Sequence, residues 1–127
     1  MPSSLGLTFD TGALIALERR SRHMAKVLDT AARASVRRTV PAPVIIEWWR
    51  GRSDIREDIL AAVTVEETDE ALARLAGEAM AKVHGATAID ALVMASAARR
   101  GDVVYTADVG DLERLRSFFP GVRLFRA

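Results

Sequence analysis

Four carboxylates occupy positions where side chains can act on a common ligand. Asp10 follows the apolar run Leu5-Gly6-Leu7-Thr8-Phe9. Glu47 interrupts Val44-Ile45-Ile46 and Trp48-Trp49, Asp90 opens an Ala-rich stretch, and Asp108 follows Val103-Val104-Tyr105-Thr106. Two unit negatives about 4 Å apart repel by about 4 kcal/mol at an effective dielectric near 20, so four converging acids need protons or a cation. With no Cys and only two His, His23 and His84, the donors are oxygens, and oxygen donors select Mg²⁺ or Mn²⁺ over Zn²⁺. Such an ion acidifies a bound water and neutralises a phosphoryl group during in-line attack, so the expected chemistry is metal-assisted phosphodiester hydrolysis. Each acid also has a plainer use. Asp10 and Asp108 can cap the helices that follow them, Glu47 can lie on a partial solvent face, and Asp90 sits at the edge of a buried helical stripe.

The elements that must position these acids follow from periodicity. Leu5–Phe9 reads as a strand and Leu14, Ile15 and Leu17 as the helix after it; Ser21 caps a second helix through Met24, Val27, Leu28 and Ala31. Val40 belongs to a second strand, and Pro43 opens a helix that Gly51 ends. Ser53 caps a short helix through Ile55 and Ile59, and Ala62–Val65 is a third strand. Amphipathic and Ala-rich helices over Asp69–His84 and about Thr87–Arg100 precede the strand Val103–Thr106, a helix over Asp108–Phe119 and a last strand over Val122–Phe125. Strands alternating with helices over 127 residues imply one α/β domain of three layers, a central parallel sheet of four to five strands with helices on both faces. Ligands of such sheets collect beyond the carboxyl ends of the strands, which places all four acids at one crevice.

Net charge is +1, but residues 19 to 56 carry +7 and residues 57 to 90 carry −6; without the four acids the chain is +5. That surface suits a polyanion. Sixteen of the 18 basic residues are Arg. Among them Arg19, Arg20, Arg22, Arg37, Arg38, Arg50 and Arg52 either track phosphates or face solvent. No segment has the apolar length of a membrane span, and Met1-Pro2-Ser3-Ser4 lacks the start of a signal peptide, so the expected address is cytoplasmic.

The segments Phe9 to Leu17, Pro43 to Glu47, Ala88 to Ala95 and Tyr105-Thr106-Ala107-Asp108-Val109-Gly110-Asp111-Leu112 resemble, in order and spacing, the PIN domain of VapC-type toxin ribonucleases from toxin–antitoxin pairs. The resemblance implies an Mg²⁺- or Mn²⁺-dependent endoribonuclease with Asp10, Glu47, Asp90 and Asp108 as catalytic acids. Asp10, Asp90 and Asp108 would hold the metal, and Glu47 would act directly or through water. Thr106 and Thr11 would support the site, with Asp111 beside it. The resemblance also implies an RNA substrate, a homodimer and a cognate antitoxin encoded nearby, whose tail crosses the catalytic groove. Trp48 and Trp49 belong either to that groove or to the core. Gly110 departs from the polar residue that other members often carry there. The competing reading is a catalytically silent PIN-like module that binds RNA or a partner. An aspartic protease, suggested by Asp10-Thr11-Gly12, is disfavoured because the sequence after that tripeptide reads as helix.

Overall fold

The structure, a computed structural model, describes residues 5–127; the reading of Met1–Ser4 lies outside them. Five parallel strands form one sheet in the order β3-β2-β1-β4-β5, with β1 at Leu7–Phe9, β2 at Arg38–Pro41, β3 at Thr64–Glu66, β4 at Val103–Thr106 and β5 at Leu124–Arg126. Helices α1 (Thr11–Glu18), α2 (Arg22–Arg33), α3 (Ala42–Trp48) and α4 (Asp54–Ala61) connect β1 to β2 and β2 to β3. Helices α5 (Glu70–Lys82) and α6 (Ala88–Arg100) return the chain to β4, and α7 (Val109–Glu113) leads by a 3₁₀ turn at Arg114–Ser117 to β5. The chain winds one way from β1 to β3 and the other way from β4 to β5. Right-handed crossovers therefore put α1–α4 on one face and α5–α7 on the other. The expected three-layer α/β architecture is what the chain adopts. Among the described residues no helix is long and apolar enough to cross a membrane.

Burial follows the side-chain pattern. Phe9, Val40 and Val104 of the three central strands are fully buried, and α6 is buried continuously from Ala91 to Ala97. Its small residues let it lie close between the sheet and α5. Trp48 is core, 3% exposed, with its indole N–H donated to Glu18 at 2.8 Å, and Trp49 packs edge-on against it.

Several boundaries differ from expectation: β1 starts at Leu7 instead of Leu5, and β3 runs over Thr64–Glu66 instead of Ala62–Val65. Helix α3 ends at Trp48 instead of running to Gly51, because Trp49 turns to extended backbone and Arg50 takes up the carbonyls of Ile46 and Trp49. The expected helix Asp108–Phe119 is only five residues of α-helix before it tightens to 3₁₀; Gly110 near its start is a weak helix former. The last strand pairs from Leu124, although Val122 is buried.

Candidate active site

β1 and β4 are neighbours whose chains depart in opposite directions, and a crevice opens at their carboxyl ends. Asp10 leaves β1 there and Asp108 leaves β4. Each caps the next helix: Asp10 Oδ1 accepts from the Ala13 amide at 3.0 Å and Asp108 Oδ1 from the Asp111 amide at 3.2 Å. Capping fixes both carboxylates at the rim. Gly12 lets the two segments close on each other. A Cβ at this position would stand 2.5 Å from Ala107 Cβ and 3.0 Å from the Ala107 nitrogen.

Asp90 arrives from the opposite layer in the first turn of α6, where Thr87 caps the helix by accepting from the Asp90 amide at 3.1 Å. Glu47 comes from α3. Helical spacing turns Val44 and Trp48 inward, leaving Ile46 77% exposed and Glu47 on the solvent side, where the Thr11 hydroxyl donates to its Oε1 at 2.6 Å. Glu47 is thus solvent-exposed and on the cleft at once. Asp10, Glu47, Asp90 and Asp108, with Thr11, Gly12, Ile89 and Ala107, line a single cleft of about 160 Å³.

The electrostatics are those of an uncompensated acid cluster. No Lys or Arg lines the cleft. Burial pushes the Asp10 carboxyl up and the Asp90 charge adds to this; the Thr106 hydroxyl and the Ala13 amide pull it partly back. Burial also raises Asp90, with the Thr87 hydroxyl opposing and the charges of Asp111, Glu47 and Asp108 reinforcing. Asp111 is raised by its hydrogen bond to Asp108 and by that neighbour's charge. The buried Thr106 hydroxyl also accepts from the Asp108 amide at 3.0 Å, so it braces two of the acids at once.

Thr87 and Gly12 join the site beyond the residues that the sequence marks. Thr87 had a signal, since Thr-x-x-Asp is a capping pattern. Gly12 had only the general one that a glycine beside a candidate ligand permits close approach.

The donor set, all oxygen and all acidic, fits a hard divalent cation. Among the described residues no three His, Asp or Glu side chains are already drawn in to the spacing of a metal cage. An ion there would have to be met by rotation of carboxylates across the cleft.

A crossover α/β domain with acids gathered at its switch point is the class that fold and site define. The sequence matches the PIN domain family over residues 7–116, and the chain belongs to that family. Its fold is shared with DNA-bound VapBC from Salmonella typhimurium (TM-score 0.76, 18% identity, covering 96% of this chain and 98% of that one). VapBC2 from Rickettsia felis, bound to a promoter DNA fragment, aligns with TM-score 0.79, 12% identity and coverage of 97% and 99%. FitAcB from Neisseria gonorrhoeae aligns with TM-score 0.64, 20% identity and coverage of 94% and 96%. No curated protein sequence matches.

Proposed function

We propose that the protein is a metal-dependent endoribonuclease of VapC type, the toxin of a toxin–antitoxin pair. The observation that carries this reading is the meeting of acids from four separate chain segments in one cleft without a basic residue. A pure binding module would gain nothing from such a cleft, because carboxylates repel the phosphates of RNA. Asp10, Asp90 and Asp108 would hold Mg²⁺ or Mn²⁺, with Glu47 acting on it directly or through water. The bound ion would supply a more acidic water and neutralise charge on the phosphoryl oxygens. Thr106 holds Asp10 and Asp108 in register, Thr11 fixes Glu47, and Thr87 fixes the turn that presents Asp90. Asp111 adds negative charge beside Asp108, opposed in part by Arg114. A cognate antitoxin and a homodimeric state belong to the same reading, which rests on the resemblance to VapC-type toxins.

The test is cleavage of single-stranded RNA by the purified chain. Cleavage should stop with chelator and return with Mg²⁺ or Mn²⁺, and Asp10→Asn and Asp90→Asn should be folded and inactive. Cleavage that persists undiminished in both variants would place the chemistry elsewhere. RNA binding without turnover under either cation would establish the silent module instead.

A further inference from the structure

Beside the acid cleft lies a second cavity of about 340 Å³, lined by Ile15, Glu18, Arg19, Glu47, Trp48, Arg50 and Arg56. Glu47 lines both cavities, so they adjoin. The second follows the seam between α1 and α3: Thr11 sits at the cleft, Ile15 one turn on, and Arg19 at the C-cap of α1, about 12 Å from Thr11 along the axis. Its charge is the reverse of the cleft's. Glu18 is neutralised by Arg56 at 2.8 Å and also accepts from the Trp48 indole, so this pair is wall. The Arg19 guanidinium makes no hydrogen bond or ion pair with any described residue; only its backbone N–H is engaged, on the Ile15 carbonyl. Arg50 engages only one terminal nitrogen, on the carbonyls of Ile46 and Trp49.

Of the other arginines that the sequence offered as phosphate contacts, Arg20 and Arg22 are exposed but line neither cavity, and the remaining three are occupied by the fold. Arg37 is held by Asp102 and the Arg100 carbonyl, Arg38 by the carbonyls of Ala62 and Val36, and Arg52 by Glu57. Arg19 and Arg50 are thus two guanidinium groups with free donors in one cavity that opens from the acid cleft. A strand whose scissile phosphate lies over the acids and that runs on past Glu47 meets this pair at the next cavity.

We propose that the Arg19–Arg50 cavity binds a backbone phosphate of the RNA strand flanking the cleaved bond, making Arg19 and Arg50 substrate-positioning residues. This rests on the nuclease reading above and names where its substrate runs. Guanidinium forks suit phosphate oxygens. An acidic protein segment is the competing occupant, disfavoured because it would have no reason to continue into a cleft of carboxylates.

The experiment uses Arg19→Ala, which breaks no intrachain bond, and Arg50→Gln, which keeps a donor for the α3 carbonyls. Affinity for a fluorescein-labelled single-stranded RNA of mixed sequence is read by anisotropy against salt, in an Asp90→Asn background that prevents turnover. Each variant should bind on the order of tenfold more weakly, with the log–log salt slope reduced by about 0.7. In the otherwise wild-type chain KM should rise with kcat little changed, and cleavage of a dinucleotide lacking the flanking phosphate should be unaffected. Unchanged affinity, or a loss with an unreduced slope, would overturn the assignment. So would a polyglutamate peptide that displaces RNA from the parent chain but fails to bind the Arg19→Ala variant. If no form cleaves RNA while binding still depends on Arg19, the nuclease reading falls and the phosphate site stands. If cleavage is normal and binding ignores Arg19, the phosphate site falls alone.

Discussion

The protein handles buried negative charge in two opposite ways. In the layer between the sheet and α6, Asp102, whose side chain is fully buried, meets Arg37 at 2.5 Å and Arg100 at 3.0 Å and accepts the Thr8 hydroxyl at 2.8 Å. Glu66 nearby is paired with Arg99 and Arg100 and accepts from Ser96 at 2.6 Å. Burial alone would raise Glu66, yet Ser96, Arg100 and Arg99 together hold it below the ordinary carboxylate range. At the sheet's carboxyl rim the sign is reversed, and burial plus like charge raise Asp10 and Asp90 with no basic partner. Acids that hold the fold together come with their counter-charges; acids left without them mark where an external cation is expected. The two regions even use glycine alike, since a Cβ on Gly6 would collide with Asp102 and Arg37 as one on Gly12 would collide with Ala107.

The contrast can be broken most sharply by exchanging charge for amide. Asp10→Asn should lower the rate of RNA cleavage by on the order of a thousandfold or more, a loss of several kcal/mol of transition-state stabilisation, while leaving urea stability at neutral pH equal or slightly higher. Asp102→Ala should do the reverse to the fold, costing about 3–5 kcal/mol in urea melts because Arg37 and Arg100 lose a buried partner. A large destabilisation by Asp10→Asn would show that the rim acids are structural after all.

Divalent cation should stabilise only the rim. At a concentration a hundredfold above Kd, Mn²⁺ should add about 2.7 kcal/mol to the wild-type chain, read as a rise in Tm, with little effect on Asp90→Asn. An equal rise in both would mean that the ion binds elsewhere. Gly12→Ala should cost about 1–3 kcal/mol by overpacking against Ala107 and should reduce cleavage by displacing Asp108 from Asp10.

The pH dependence of metal-free stability separates the regions by sign. Asp10 and Asp90 are raised above 3.8, so the folded chain holds their protons more tightly than the unfolded one. Their contribution is most favourable below that pH and is lost as pH rises through the raised values. Glu66 is lowered from 4.5, so its stabilisation is present above that pH and is lost as pH falls through the depressed value. In urea titrations Asp90→Asn should flatten the first limb and Glu66→Gln the second; a swap of these effects would refute the contrast. The smallest effect expected is at the exposed α5 pair Arg74–Glu70, 2.6 Å apart with both side chains three-quarters exposed. Its removal should change stability by no more than about 0.5 kcal/mol.

Much of this was legible in the chain. Ser21, Ser53, Asp69 and Thr87 all cap helices that periodicity outlined, each side chain accepting from the amide three residues on. Alternation of those helices with short β-branched runs led to a parallel sheet. The candidate acids were visible because strand ends at Phe9 and Thr106 are followed at once, or after a single residue, by Asp. The Asp102–Arg100–Glu66 network was not legible. Its partners come from β1, the approach to β2, β3, α6 and the approach to β4, up to 94 residues apart, and nothing in local spacing pairs them.

Local pattern by itself determined where strands and helices lie, which faces they bury and that four acids sit near element ends, because periodicity and capping act over a few residues. Tertiary structure alone decided which charges meet. It turned Glu47 outward onto the cleft, joined Arg37 and Arg100 to Asp102, and left Arg19 and Arg50 with donors to offer. Coulombic pairing depends on separations of a few ångströms between segments distant in sequence, and only the packed crossovers of the sheet set those separations.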